Sequence, residues 1–118
     1  MAVRGIRGAT AVKTDTSEAV LSATRELLEA LVAANGVVPD DIASVIFTVT
    51  PDLRSDFPAH AARQMGWTDV ALLGATEMDV PAGLKRCIRV LLHVNTDRPA
   101  SVIQHVYLHE AKSLRPDR

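Results

Sequence analysis

Five strand-like runs and two amphipathic helical segments in a chain of 118 residues predict a single α+β domain spanning residues 1–118. Three observations carry that expectation. Residues 84–94 form an aliphatic run with Arg86 and Arg89 at or near its start. Residues 43–50 (ASVIFTVT) are apolar almost throughout. Between the first strand-like run and residues 43–50 lies a stretch with a clear helical stripe. Hydrophobic residues make up 47% of the chain, charged residues 23% and aromatics only 3%, so an ordinary globular core must be built from aliphatic side chains. A domain of this size buries roughly 65% of the surface its unfolded chain exposes, enough for a real core.

The elements follow in order. Residues 3–12 (VRGIRGATAV) read as a strand with Val3, Gly5, Arg7, Ala9 and Ala11 on one face. Arg7 then projects among small neighbours that leave room for a bound group; the plainer alternative is a surface arginine on an edge strand. Asp15 is the expected N-cap of a helix ending at Asn35, with Glu18 completing a capping-box pair. Val20, Ala23, Leu27, Leu28, Leu31 and Val32 form its apolar stripe, and Asn35-Gly36 supplies a left-handed stop. The strand at 43–50 should be covered on both faces and stop at Pro51. A second helix begins near Phe57-Pro58 and runs to Gly66. Residues 69–73 give a short strand, and 74–76 a loop leading to Glu77.

The Arg-bearing strand spans 84–94, with Cys87, Arg89, Leu91 and His93 on one face and Arg86, Ile88, Val90, Leu92 and Val94 on the other. Residues 95–99 make a turn, 101–104 one helical turn, and 105–109 (HVYLH) a fifth strand, followed by a tail from Glu110. No internal repeat, low-complexity run or linker interrupts this plan.

Composition excludes several function classes. A net charge of −1 argues against a general nucleic-acid or anionic-membrane binder. The single cysteine, Cys87, permits neither an intrachain disulfide nor a multi-cysteine zinc site. Neither a signal-peptide core nor an apolar run long enough to span a bilayer is present, so a cytoplasmic protein is expected. Phosphate-cradling glycine loops and the nucleophile-elbow serine are also missing. His105 and His109, four apart on an expected strand, would stand ~13 Å apart and could not share one metal. Cys87 has arginine neighbours that could lower its pKa, but a small buried hydrophobe is the simpler role. His60 is most simply an exposed helix residue.

What remains is a set of cations with one acid and one phenol: Arg7, Arg63, Arg89, Glu77 and Tyr107, with Arg115 in the tail. An arginine on a mostly buried strand stays charged and needs an anion. Planar guanidinium forks suit carboxylates, so one reading is a pocket for a small di-acid in which Glu77 accepts a hydrogen bond from a ligand hydroxyl. The other is an internal Arg89–Glu77 pair with nothing bound.

RGIRGAT at 4–10, TPDL at 50–53, FPA at 57–59, EMDV at 77–80, GLKRCIRV at 83–90, HVYL at 105–108 and LRPD at 114–117 together resemble the monofunctional, trimeric class of chorismate mutase. The resemblance runs in register along nearly the whole chain. It implies a mixed five-stranded sheet with helices on it, assembled as a pseudo-α/β-barrel homotrimer with active sites at subunit interfaces. It also implies the cofactor-free Claisen rearrangement of chorismate to prephenate, a step of aromatic amino-acid biosynthesis. Arg89 matches the arginine that contacts the ether oxygen and a carboxylate, and Arg7 the other main carboxylate-binding arginine. Glu77 matches the acid that hydrogen-bonds the ring hydroxyl, and Tyr107 a pocket tyrosine. Phe57, Ala59, Arg63 and Leu114 match lining positions, and Arg115 a tail residue near the mouth. The chain departs from the pattern at His60, where some members carry lysine, and at Gly74, where some carry cysteine in the loop before the acid. It is also one residue shorter before Gly66. The alternative function is a non-catalytic trimeric protein that binds a small dicarboxylate.

Overall fold

The structure, a computed structural model, describes residues 2–114. Five strands, β1 (Ala2–Ala11), β2 (Ile42–Val49), β3 (Ala71–Thr76), β4 (Cys87–Thr96) and β5 (Val106–Tyr107), form one sheet in the order β3-β2-β4-β1-β5. The sheet is mixed: β4 runs antiparallel to both β1 and β2, whereas β3 runs parallel to β2 and β5 parallel to β1. Two helices, α1 (Ser17–Asn35) and α2 (Pro58–Gln64), pack against each other and cover one face.

Strand periodicity decides which side chains meet the helices. Along β4, Ile88, Val90, Leu92 and Val94 are buried, while Arg89, Leu91 and His93 are only half-buried on the opposite face. This is the alternation expected of a sheet covered on one side. The helix side joins Ile6, Phe47, Val45, Val90 and Leu92 to Leu27, Leu28 and Leu31 of α1 and to Trp67. A smaller cluster of Val12, Val20, Leu53 and Ile88 closes one end. Gly8 shows why the first strand needs a glycine. A Cβ there would stand 3.0 Å from Val90 Cγ1 and 3.2 Å from Leu27 Cδ1, so its absence lets α1 settle on the sheet.

Several expectations are corrected. Thr16, not Asp15, caps α1, its Oγ1 accepting from the Ala19 amide at 3.1 Å. Asp15 instead accepts the amides of Arg54 and Ser55, tying the start of α1 to the loop after β2. Gly36 ends α1 in the left-handed region (φ 61°), as expected. Strand β2 is covered on one face only; Ser44, Ile46 and Thr48 on the other are half-buried. Residues 74–76 are strand rather than loop, because their backbone pairs with Phe47, Thr48 and Val49. Residues 84–86 precede β4 rather than starting it: Arg86 takes a positive φ (49°), which no strand residue does. Residues 95–96 belong to β4 rather than to a turn. The fifth strand is two residues long, and His109 leaves it with φ 54° to open a 3₁₀ turn (His109–Ser113). The strand geometry assumed for the His105–His109 pair therefore does not apply. His109 Nε2 lies 2.9 Å from Glu26 Oε1, and His105 Nδ1 accepts the Arg7 amide.

Candidate active site

The open face of the sheet carries the charged side chains singled out above. Cross-strand pairing sets Arg89 of β4 between Thr48 of β2 and Ala9 of β1, with Tyr107 of β5 next to Ala9. Side chains opposite one another project to the same side, so Arg89, Thr48 and Tyr107 share the open face. Arg7 lies two residues along β1 from Ala9 and faces the same way. Its Cα and that of Arg89 form a diagonal pair, about 7–8 Å apart in such geometry. Because β4 is the central strand, Arg89 is held by backbone hydrogen bonds from both sides.

Glu77 reaches this row from the end of β3. Its amide donates to Val49 O at 2.8 Å, extending the β2–β3 ladder by one rung. That rung turns the carboxylate back over β2. Thr48 Oγ1 donates to Glu77 Oε1 at 2.7 Å, and the Met78 amide donates to Oε2 at 3.3 Å. Arg89 Nη1 is 3.6 Å from Glu77 Oε1. The two side chains are attracted, but they are further apart than the 2.7–2.9 Å of a charge-assisted hydrogen bond, roughly by the width of a bond's slack. The Arg89 side chain keeps 43% of its surface exposed and Glu77 25%. Both open into a cleft of about 630 Å³.

The floor of that cleft comes from two loops locked together. After β2, Asp52 accepts from Thr50 Oγ1 (2.5 Å) and from the Arg86 amide (3.0 Å). Thr50 Oγ1 in turn accepts the Cys87 amide at 2.9 Å, and Arg86 Nε donates to Val12 O. This clamp holds Arg86 in its left-handed conformation. Burial pushes the Asp52 carboxyl up, but the Thr50 and Arg86 hydrogen bonds outweigh it and hold it below the usual carboxylate range. Cys87 behaves oppositely: burial pushes its thiol up to about 11, overriding the nearby Arg89. It is a packed hydrophobe and not an activated thiol.

Of the residues expected at a site, Arg89, Glu77 and Leu114 line the cleft, and Arg7 and Tyr107 share its face of the sheet. Phe57, Ala59 and Arg63 do not join them. They sit at and on α2, whose Ala62 packs with Val90 and Leu92 beneath the sheet, on the side away from Arg89. Phe57 is 72% exposed there. Arg115 lies outside the described residues. His60 sits on α2 with Nδ1 3.2 Å from Asp56 Oδ1. Gly74 is in β3 rather than a loop, with open space where a Cβ would stand. Thr50 and Asp52 fall within the TPDL motif but without an assigned role, and Thr48 has none either. The signal available for Thr48 was its two-residue offset from Thr50 inside an otherwise aliphatic strand. Among the described residues, no group of three His, Cys, Asp or Glu side chains is arranged to hold a metal, and no helix is long and apolar enough to cross a membrane.

A cation fixed in a central strand, an oriented acid and a cleft of this size can bind a small oxyanionic molecule and stabilise negative charge within it. Comparison with known proteins is consistent with this chemistry. The sequence profile of chorismate mutase type I matches residues 3–118. The chain is 57% identical over 116 residues to the chorismate mutase AroH of Thermus thermophilus, covering 98% of this chain and 95% of that protein. It is 48% identical over 118 residues to the chorismate mutase AroH of Bacillus subtilis (strain 168), covering 99% and 93%. The solved structure of a chorismate mutase from Clostridium thermocellum superposes with a TM-score of 0.92 at 51% identity, over 93% of this chain and 98% of that one.

Proposed function

Since the chain belongs to the chorismate mutase type I family and is a chorismate mutase, we propose that the open face of its sheet binds chorismate, with Arg89, Glu77 and Arg7 as the principal catalytic groups. The reaction, chorismate to prephenate, is a step of aromatic amino-acid biosynthesis. One C–O bond breaks while one C–C bond forms within a single molecule, so no proton, nucleophile or cofactor is required. The enzyme has two tasks. It holds the chair-like diaxial conformer in which the bonding carbons meet. It also stabilises the negative charge that grows on the ether oxygen as the C–O bond lengthens.

One observation carries the assignment of roles. The Arg89 guanidinium is fixed in the central strand yet remains 43% exposed to a cleft of about 630 Å³, although an acid stands 3.6 Å away. Arg89 therefore has donors to spare for the ether oxygen and a carboxylate. Arg7 and Tyr107 hold the carboxylates, and Glu77 accepts a hydrogen bond from the ring hydroxyl. Leu114 closes the rim.

Phe57, Ala59 and Arg63 reach the substrate from a neighbouring copy, because α2 of the same chain lies beneath the sheet. The homotrimer this requires is supported by the open face itself. It exposes Val3 (55%) and Leu73 (62%) beside half-buried Ile46 and Leu91, an apolar surface suited to burial between subunits. The non-catalytic dicarboxylate-binding alternative has no observation in its favour. A cytoplasmic location fits a biosynthetic enzyme acting on a soluble metabolite.

Subunit mixing tests the shared site. Arg89→Ala and Arg63→Ala chains, each nearly inactive alone, are unfolded, mixed and refolded together. Mixed trimers contain some sites with both arginines intact, so turnover, followed as loss of the diene absorbance of chorismate, recovers to a sizeable fraction of wild type. No recovery, or a particle without three times the 12.7 kDa chain mass, would overturn the arrangement.

A further inference from the structure

We propose that Thr48 is a positioning residue: its hydroxyl holds the Glu77 carboxylate back from Arg89, so that the cation and the acid remain separately available to the substrate. This rests on the roles given above to Arg89 and Glu77.

The argument begins with register. Thr48 lies opposite Arg89 on the antiparallel side of β2 and opposite Ala75 on the parallel side. Glu77 follows Ala75 by two positions on the same face, and its carboxylate turns back to the same threonine, which therefore touches the acid and lies opposite the cation. A β-branched side chain on a strand has few χ1 rotamers to choose from, which fixes its hydroxyl in space. That hydroxyl has one proton and gives it to Glu77 Oε1 at 2.7 Å. Oε1 is also the oxygen facing Arg89 Nη1. The remaining oxygen, Oε2, takes only the long 3.3 Å bond from the Met78 amide, which leaves lone-pair capacity for a ligand hydroxyl.

The 3.6 Å separation is the informative quantity. A carboxylate and a guanidinium left to themselves close to about 2.8 Å, often with two parallel bonds. Here two restraints oppose closure: the Glu77 amide bonded to Val49 O, and the Thr48 hydroxyl bonded to Oε1. Without the hydroxyl, only the backbone restraint is left. The acid then swings onto Arg89, occupying the donors that the ether oxygen needs and turning Oε2 away from the ring hydroxyl. Both faults act in the transition state as well as on binding.

The test compares Thr48→Val, which keeps the shape and removes the hydroxyl, with Thr48→Ser, which keeps the hydroxyl. The expected result is a roughly tenfold or larger loss of kcat/KM for chorismate in Thr48→Val, the scale of one hydrogen bond to a charged group. Thr48→Ser recovers most of that loss. In a Glu77→Gln background, Thr48→Val has little further effect, because no carboxylate is left to restrain. Thermal unfolding of Thr48→Val stays close to wild type; should that variant not fold, Thr48→Ala takes its place with the same expected order. Thr48→Val turning over like wild type while Glu77→Gln is impaired would overturn the inference, as would Thr48→Ser being as slow as Thr48→Val. A fully active Glu77→Gln would instead overturn the role given to Glu77.

Discussion

Replacing Arg89 with alanine is expected to separate catalysis from folding in this protein. In the folded chain the guanidinium contributes little to stability. Its ion pair with Glu77 is 3.6 Å long and the side chain is 43% exposed, which places it among surface pairs worth about 1 kcal/mol or less. The backbone of β4 is unaffected, because the strand is paired on both edges whatever side chain it carries. The transition state loses much more. In the proposed site Arg89 meets the charge developing on the ether oxygen, and its preorganised position in a central strand limits reorganisation during the reaction. Losing one such donor costs about 2.7–4 kcal/mol, or on the order of a hundred- to a thousandfold in kcat. The assay is continuous loss of chorismate absorbance, run beside thermal unfolding of the same preparation. The expected outcome is near-native unfolding with that fall in kcat. Arg89→Lys should recover only part of it, because an ammonium keeps the charge but not the planar fork. A loss of less than tenfold in Arg89→Ala would refute the role. So would a large loss accompanied by a collapsed unfolding transition, which would make Arg89 a structural partner of Glu77.

Two further predictions concern acidity. Turnover should be flat across neutral pH and fall only in acid, over the range of roughly pH 4–5 typical of carboxyl groups; a bell centred near neutrality would point to histidine chemistry instead. Stability should follow the same direction. Asp15, Asp52 and Asp56 all titrate below the usual carboxylate value in the folded chain. Burial opposes the shift at Asp15 and Asp52 but is outweighed by hydrogen bonds from Ser55 and from Thr50 and Arg86, while at Asp56 the Ser17 hydrogen bond leads. Their stabilisation is therefore complete above the unfolded value of about 3.9 and is lost as pH falls through the folded values. Denaturant midpoints that stay unchanged as pH falls from about 5 to about 2 would contradict this. Cys87, buried and with its thiol pushed up to about 11, should resist alkylation by iodoacetamide at pH 8 until the chain is unfolded, as read by intact mass; rapid modification of the folded enzyme would show an exposed thiolate.

The parts of the fold that could be read from sequence were those decided by local chemistry. The stripe of α1, its glycine stop and the alternation along β4 each depend on side chains within one turn or one pleat, and each is found as expected. The parts that could not be read depend on distant partners. Asp15 is a good cap by type, but two amides 39 and 40 residues away claim its carboxylate and leave the cap to Thr16. Residues 74–76, with glycine and small side chains, have weak strand propensity; the waiting edge of β2 makes them strand anyway. The left-handed Arg86 has no signal of its own, since the clamp that imposes it comes from Asp52. The apolar pattern of β2 suits cover on both faces, whereas a single chain covers one. At the site, Arg89 and Glu77 were visible as charges in apolar context, but the threonine between them looked like one more β-branched strand residue.

The structure sets the Arg89–Glu77 pair beside an open cleft, and the distance between the two charges decides the chemistry proposed for the site. An acid in full contact with the guanidinium would neutralise it and would have to be displaced before the ether oxygen could bind, at an energetic cost borne in every turnover. With no acid nearby, the half-buried cation would lose the charge that offsets part of its desolvation. At 3.6 Å the acid still offsets the desolvation of the cation without occupying its donors. The topology makes that intermediate distance possible. The cation comes from the central strand, the acid from beyond the end of an edge strand, and the strand between them supplies a carbonyl and a hydroxyl that set the gap.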